Sequence, residues 1–406
     1  MDTEPQTFPD FIQRVRESFV PINIHWDLTY RCDHKCVHCY ITERKTDELS
    51  LEECELLLDQ LVEAGTFTIL FSGGDLFVRP DAIDVLAAAR ARRFDVRVNT
   101  HGNHITEALA DRLAEIGVAK VSISVYSDNA ADHEAVTLID GSHAKSLQAC
   151  KMLVDRGITV SMKTPIMVPN QTSYIGVGRL AEEIGAEWEI DAHIVPDDQS
   201  DFGLCDVGVH PSERKLALMH QLEAKGFDVT EWPNLPGASD QARTCGAGTG
   251  FGYISPDGRL YPCINWREEI GSLRTHSVKQ LWHHSPVIHK QREVTRGSYL
   301  TDCDGCTFHS NCAYCPGISH AEHGKAGRRS AYVCERTHVT NAALEHMAIL
   351  QRTGQKVPQP NTQASQELLS TSTFAERQWS ARKAGLTKAA DRIVPNLIQI
   401  EEPARR

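Results

Sequence analysis

Between residues 22 and 193 the sequence switches its hydrophobic period repeatedly, from apolar residues at every second position to apolar residues at every third or fourth. The first period marks a strand, the second an amphipathic helix. Six strand–helix units in succession leave few possible folds. Parallel strands cannot be joined by tight turns, so each helix must cross back over the sheet. Strands are expected at 22–28, 67–71, 94–99, 121–125, 158–163 and 187–193. Ser50 and Glu53 form a capping-box pair for a helix running to Gly65. Further helices are expected at 80–90, 105–116, 142–155 and 175–184, the last two closed by Gly157 and Gly185.

Thirteen cysteines accompany an acidic, polar N-terminus, Met1-Asp-Thr-Glu-Pro5, with no export signal. That combination points to metal binding rather than disulfides. Cys32, Cys36 and Cys39 follow the first expected strand with C-x3-C-x2-C spacing. Three thiolates on one loop can hold three irons of a [4Fe–4S] cube and leave the fourth iron open. A closed zinc site would want a fourth ligand, and none lies nearby in sequence; structural or zinc cysteines are the alternative. A second group comprises Cys245, Cys263, Cys303, Cys306, Cys312, Cys315 and Cys334. Its short spacings also suit zinc, although an odd count disfavours a pair of four-cysteine zinc sites. Within it, 254–262 reads as a hairpin with Asp257-Gly258 at the turn. Cys54, Cys150 and Cys205 stand alone and read as ordinary semi-buried thiols.

Composition narrows the function. The chain is 41% hydrophobic and 24% charged, with a net charge of −12, and its Lys and Arg form no block. Nucleic acid and a polybasic membrane anchor are therefore disfavoured as partners. No apolar run approaches the roughly 20 residues that span a bilayer. A cytoplasmic protein acting on a small or peptidic substrate is expected.

The run from Arg31 to Tyr40, placed after a first strand, resembles the radical S-adenosylmethionine (SAM) enzymes. The resemblance implies a partial (β/α)6 TIM-like barrel over 22–195, an α/β fold with its chemistry at the C-terminal strand ends. It also implies that SAM chelates the open iron, and that reductive cleavage yields methionine and a 5′-deoxyadenosyl radical that abstracts a substrate hydrogen. Cys32, Cys36 and Cys39 would carry that chemistry. His38 takes the position of a family aromatic that packs near the adenine. Phe71-Ser-Gly73-Gly74-Asp75-Leu76 is similar to the family's Gly-Gly-Glu motif, whose backbone meets the SAM amine, with Asp75 standing for Glu. Asn99-Thr-His-Gly102 stands where the family often shows Thr-Asn-Gly. Ser122 and Ser124 share one side of the fourth strand, and Ser124, nearer its C-terminal end, is preferred as the contact to the SAM carboxylate or ribose. Thr137 occupies the place of an arginine that pairs with that carboxylate in relatives. Lys163, at the end of the fifth strand, is the expected replacement.

The second cysteine group resembles the seven-cysteine SPASM domain, except that two residues rather than three separate Cys312 and Cys315. The resemblance implies two auxiliary [4Fe–4S] clusters, three in all. Cys303, Cys306, Cys312 and Cys334 would ligate one; Cys245, Cys263 and Cys315 would hold the other. The expected organisation is an N-terminal extension at 1–21, the barrel at 22–195 and a connection at 196–244 with a helix over 211–226. A small cysteine-rich domain with a β-hairpin and short helices follows at 245–352, then a linker and tail at 353–406. Phe374, Trp379, Leu386, Ile393, Leu397 and Ile400 mark either a docking helix or disorder in that tail.

SPASM enzymes mostly modify ribosomally made peptides, so a crosslink, thioether or backbone modification is the leading expectation. A sulfatase maturase making formylglycine is an alternative, although Ile264 stands next to Cys263 where such enzymes carry an acidic base. A small-molecule enzyme of cofactor synthesis is another. The implied partners are a precursor peptide and a flavodoxin or ferredoxin-type electron donor. About 21 residues precede the first strand, too few for a fused leader-binding domain, so a separate leader-recognition protein is expected.

Overall fold

All six expected strands form, each hydrogen-bonded in parallel to the next. The computed structural model describes residues 17–233, 239–300, 302–303 and 306–368, with 7, 14, 375–377, 379 and 380. The strands are β1 (Asn23–Thr29), β2 (Thr68–Gly73), β3 (Asp95–Thr100), β4 (Lys120–Ser124), β5 (Thr159–Pro165) and β6 (Glu187–Asp191). The crossing helices are α1 (Leu51–Glu63), α2 (Ala82–Ala91), α3 (Glu107–Ile116), α4 (Ala130–Thr137), α5 (Ser142–Val154) and α6 (Gly176–Ile184). The Ser50–Glu53 capping box is complete at the start of α1. No helix is expected from the sequence at α4; it forms because the Asn129 side chain accepts from the Asp132 N–H, capping a segment too short to show a period.

Alternation along the strands sorts their side chains. Ile24, Trp26, Leu28, Ile69, Phe71, Val96, Val98, Val121, Ile123, Val160 and Met162 join the core against the helices. The residues between them, including His25, Asp27, Thr29, Asn99, Ser122, Ser124, Ser161 and Lys163, therefore point to the inner face. A barrel filled only for stability carries branched apolar residues inside. This inner face is polar, as a ligand cavity requires.

The cysteine-rich part does not form a sheet of its own. β7 (Phe251–Ile254) pairs in parallel with β1, and β8 (Arg259–Tyr261) and β9 (Gly271–Ser272) continue outward antiparallel. A single nine-stranded sheet results, in the order β6-β5-β4-β3-β2-β1-β7-β8-β9. The expected hairpin turns at Gly258, whose φ of 79° favours glycine.

The remaining helices are α7 (Pro211–Ala224), α8 (Val278–His284), α9 (Pro286–Arg292), α10 (Gly297–Leu300), α11 (Pro316–His323), α12 (Ala331–Thr353) and α13 (Gln363–Leu368). The expectation of short helices fails at α12, which runs 23 residues between the cap Ser330 and the left-handed Gly354. Its length follows from its contacts: Val339, Ala343, Met347 and Leu350 share a core with Leu216 and Met219 of α7. Arg214 and Glu335 are buried across that interface at 2.7 Å. In the stretch expected as linker, Val357 and Ser365 are buried. Of the expected tail residues, Trp379 lies against the His210 ring with centroids 4.7 Å apart; Phe374, Leu386, Ile393, Leu397 and Ile400 fall outside the described residues. Among the described residues, no helix is long and apolar enough to cross a membrane.

Candidate active site

The Cys32–Cys39 loop is held from both sides by backbone hydrogen bonds. The Gly74 N–H donates to Thr29 O at 2.9 Å and the Asp75 N–H to Arg31 O at 3.0 Å. From the other side, the Lys35 and Val37 N–H groups donate to Thr137 O and Val136 O at 3.4 and 3.0 Å. The Arg44 guanidinium closes the loop, donating to Cys32 O at 2.9 Å and His34 O at 2.6 Å.

Gly73 and Gly74 are also needed for this arrangement. A Cβ on Gly73 would sit 2.0 Å from Thr29 O, and one on Gly74 would sit 2.3 Å from Arg31 O. The close approach that demands glycine is thus made by the protein's own backbone, and the Gly74 and Asp75 N–H groups are already spent. Asp75 is fully buried and accepts from the Thr100 hydroxyl, from His101 N and from Phe77 N. Its carboxylate ties the end of β2 to the end of β3.

Burial opposes ionisation of Cys32 and Cys36. It raises Cys32 to about 11 and, with the added charge of Cys39 and Cys32, Cys36 to about 12. Thiolates there need cationic partners. The Cys32 sulfur accepts one N–H, from His34 at 3.3 Å. His38 packs edge-on to Tyr126 at 5.2 Å between ring centroids, and burial pushes its imidazole down to about 4. Its Nδ1 and the Asn99 Oδ1 are buried without a partner among the described residues. Ser124 is in register with Lys163, and Lys163 with Glu189. The Lys163 Nζ stands 3.9 Å from the Glu189 carboxylate. Burial disfavours that carboxylate, but hydrogen bonds from Lys120 and Ser161, with the charge of Lys163, hold it down at about 2. Thr137 is buried and its hydroxyl bonds to that of Ser142 at 2.7 Å.

The seven C-terminal cysteines fall into two sets by mutual electrostatic influence. Cys263 feels Cys315 and Cys245. Cys303 feels Cys334, Cys306 and Cys312, and Cys334 feels Cys312 and Cys306. Burial raises Cys263 and Cys303 to about 12 and Cys334 to about 11. None of the thirteen cysteines is in a disulfide. Cys54, Cys150 and Cys205 are buried, and Cys205 lies in an apolar cluster against which Cys312 and Cys315 pack.

Two features escaped the sequence. His34 and His101 stack at 3.7 Å, nearly parallel, with Asp33 bonded to His101 at 2.9 Å. The signal available was Thr100-His-Gly102, a strand-end loop facing the cysteine run. The second feature surrounds Asp27, which accepts from Tyr40 and Tyr253 hydroxyls at 2.8 and 2.9 Å and contacts His25 at 3.0 Å. Arg267 lies beside it among tyrosine rings. The inward positions His25, Asp27 and Thr29 on β1 carried that signal.

Comparison with known proteins agrees with this geometry. Residues 26–173 match the model of the Radical SAM superfamily, and residues 245–307 that of the SPASM iron–sulfur cluster-binding domain. The AdoMet-dependent heme synthase of Nitratidesulfovibrio vulgaris is 28% identical over 320 residues, 72% of this chain and 86% of the relative. The antilisterial bacteriocin subtilosin biosynthesis protein AlbA of Bacillus subtilis is 26% identical over 312 residues, 73% of this chain and 67% of the relative. In fold, the chain matches Streptococcus suis SuiB bound to precursor peptide SuiA, with a TM-score of 0.62 at 13% identity, covering 82% of each chain. The chain belongs to the radical SAM superfamily and carries, joined to its barrel sheet, a SPASM iron–sulfur cluster-binding domain.

Proposed function

We propose that this enzyme cleaves SAM reductively and uses the resulting radical to modify a ribosomally synthesised peptide oxidatively, forming a crosslink, thioether or backbone modification. The observation that carries the reading is the grouping of ten thiols, with Cys32, Cys36 and Cys39 after β1 and Cys245 and Cys263 flanking the β7–β8 pair that joins β1 in one sheet. Cys32, Cys36 and Cys39 would hold the SAM-binding [4Fe–4S] cluster. Cys303, Cys306, Cys312 and Cys334 would hold one auxiliary cluster, and Cys245, Cys263 and Cys315 another. The residues present fit these groups: Cys36 lies within the field of Cys39 and Cys32, and His38 Nδ1 and Asn99 Oδ1 are buried without a partner among the described residues. When bound, cluster and SAM supply one-electron cleavage and the hydrogen-abstracting radical.

The chain's own share is placement and shielding. His38 and Tyr126 offer flat ring surfaces beside the loop. Asn99 and Ser124 present polar atoms at neighbouring strand ends, and Lys163 presents a cation toward the SAM carboxylate. The peptide reading is supported by the likeness to AlbA, named for bacteriocin biosynthesis. A second reading, a small-molecule enzyme of cofactor synthesis, is supported by the likeness to AdoMet-dependent heme synthase. A separate leader-recognition protein, a flavodoxin or ferredoxin-type donor and a cytoplasmic location belong to the first reading.

Anaerobic reconstitution tests the assignment. Three clusters correspond to about twelve irons, and replacing Cys32, Cys36 and Cys39 together with Ala removes about four of them and abolishes SAM cleavage. Protein purified anaerobically with zinc and no iron would overturn it. Lys163→Ala should weaken SAM binding by about 1.5–3 kcal/mol with iron content unchanged; unaltered affinity on titration would remove Lys163 from the site. Turnover of a precursor peptide, against turnover of a tetrapyrrole, separates the two readings.

A further inference from the structure

Arg267 pairs with no carboxylate among the described residues, and its charge acts on the Cys263 thiol. It lies four residues after Cys263, in the loop beyond β8. Its guanidinium carbon stands 4.6 Å from the Tyr253 ring centroid, 5.8 Å from that of Tyr261 and 5.9 Å from that of Tyr40. Of its five N–H donors, one reaches an acceptor among the described residues: Nη1 donates to the Tyr30 hydroxyl at 3.3 Å. Nη2 is buried with no partner among the described residues.

Asp27, bonded to two of the cage tyrosines, does not repair this. Asp27 is fully buried, but its oxygens are taken by His25, Tyr40 and Tyr253 at 3.0, 2.8 and 2.9 Å. It meets Arg267 only through phenols, since Tyr253 also bonds Tyr30 at 2.7 Å. Ring faces offset part of the cost of burying a cation, yet they leave the in-plane donors unsatisfied, and an unpaired buried donor is costly. Tyr40, Tyr261 and Arg267 each keep part of their surface exposed, so the cage has an open rim. The cage joins two cysteine-bearing loops: Tyr40 follows Cys39 directly, and Arg267 stands four residues after Cys263.

We propose that Arg267 and its tyrosine cage form a carboxylate-binding subsite that anchors the substrate between the SAM-binding loop and the Cys245–Cys263–Cys315 set. The subsite rests on the reading that the substrate enters this barrel, and it narrows that substrate to one bearing a carboxylate. A planar carboxylate matches the edge of a guanidinium through two parallel hydrogen bonds. A single negative charge suits the site, because Asp27 behind the cage repels a dianion. On a peptide, the carboxylate can be the C-terminus or an acidic side chain.

Anaerobic titration calorimetry on the reconstituted enzyme with SAM tests the subsite with three probes. These are acetyl-glycyl-phenylalanine with a free carboxylate, the same compound as its carboxamide, and acetyl-glutamyl-phenylalaninamide, whose charge sits on the side chain. Wild-type enzyme should bind at least one charged probe about tenfold or more tighter than the uncharged one; which one identifies the source of the carboxylate. Arg267→Gln should erase the preference with iron content at the wild-type level. Arg267→Lys, which keeps the buried charge but not the fork, should reduce the preference and serves if the Gln variant does not fold. Equal binding of all three probes by the wild type, or a preference that survives Arg267→Gln, overturns the subsite. If the wild type cleaves SAM yet shows no preference, the subsite alone falls. A preference in an enzyme that neither cleaves SAM nor turns over a peptide leaves the subsite standing and removes the functional reading.

Discussion

Gly73 and Gly74 set a tolerance on the site that is measured in fractions of an ångström. Gly74→Ala places a Cβ against the Arg31 carbonyl, with backbone on both sides and no flexible side chain to yield. The cysteine loop must then move, and both SAM binding and iron content should fall. Gly141→Ala is the control: its φ is 74° but nothing lies within 4 Å of the new atom, so it should cost only about 1–2 kcal/mol of stability and leave iron content intact. Titration offers a second test at this scale. Burial holds His133 down at about 3 and His220 at about 4. Both are neutral when folded, while the unfolded chain takes up protons near pH 6.5. Stability is therefore whole above that pH and is lost as pH falls from about 6.5 toward the folded values, by up to about 1.4 kcal/mol per unit for each histidine. In denaturant titrations at pH 7 and 5.5, His220→Phe should shrink the loss by about 1 kcal/mol. An unchanged loss would show that His220 is protonated in the folded state. Single residues were legible where their partners were close in the chain. The C-x3-C-x2-C run is local, whereas Arg267 and Tyr30 meet across 237 residues, and no local period reports such a pair.

Elements were legible where period and punctuation agreed. The six barrel strands, the capping box of α1 and the Gly258 hairpin each carry a pattern longer than the uncertainty at their ends. Helix α4 carries eight residues with little amphipathic character, and α12 buries residues around much of its circumference, so neither displays a single apolar stripe. The packing of α12 on α7 includes a fully desolvated ion pair, Arg214–Glu335. Arg214→Met leaves Glu335 buried and short of its charge partner, and should cost about 3–5 kcal/mol. Arg214→Met with Glu335→Leu should recover most of that loss in the same denaturant assay. Equal losses in the single and double variants would show that the apolar pair does not pack.

At the scale of the molecule, the division into barrel and cysteine-rich domain is one of chemistry and not of sheet architecture. Nothing in a linear sequence reports that β7 adds to the free edge of β1, because a strand's partner is chosen in space. Trp282 of α8 is fully buried and packs within the same apolar core as Ile24 and Trp26 of β1. Trp282→Ala should cost about 3–5 kcal/mol and lower one transition shared by both parts. Two resolved transitions, with only the later part shifted, would show that the halves fold apart.

That shared sheet has a consequence for anyone recombining this enzyme with its relatives. Four residue pairs, from Asn23 with Phe251 to Trp26 with Ile254, stitch the two parts together, and a slip of one residue would turn every side chain on the stitch to the opposite face. A chimaera cut in the connection between β6 and β7 therefore inherits a seam it was not designed for: the donor's strand has to dock on a foreign β1. Exchanging β1 and β7 as a matched pair keeps that seam intact, and the spacing of the two cysteine loops beside it is inherited along with it.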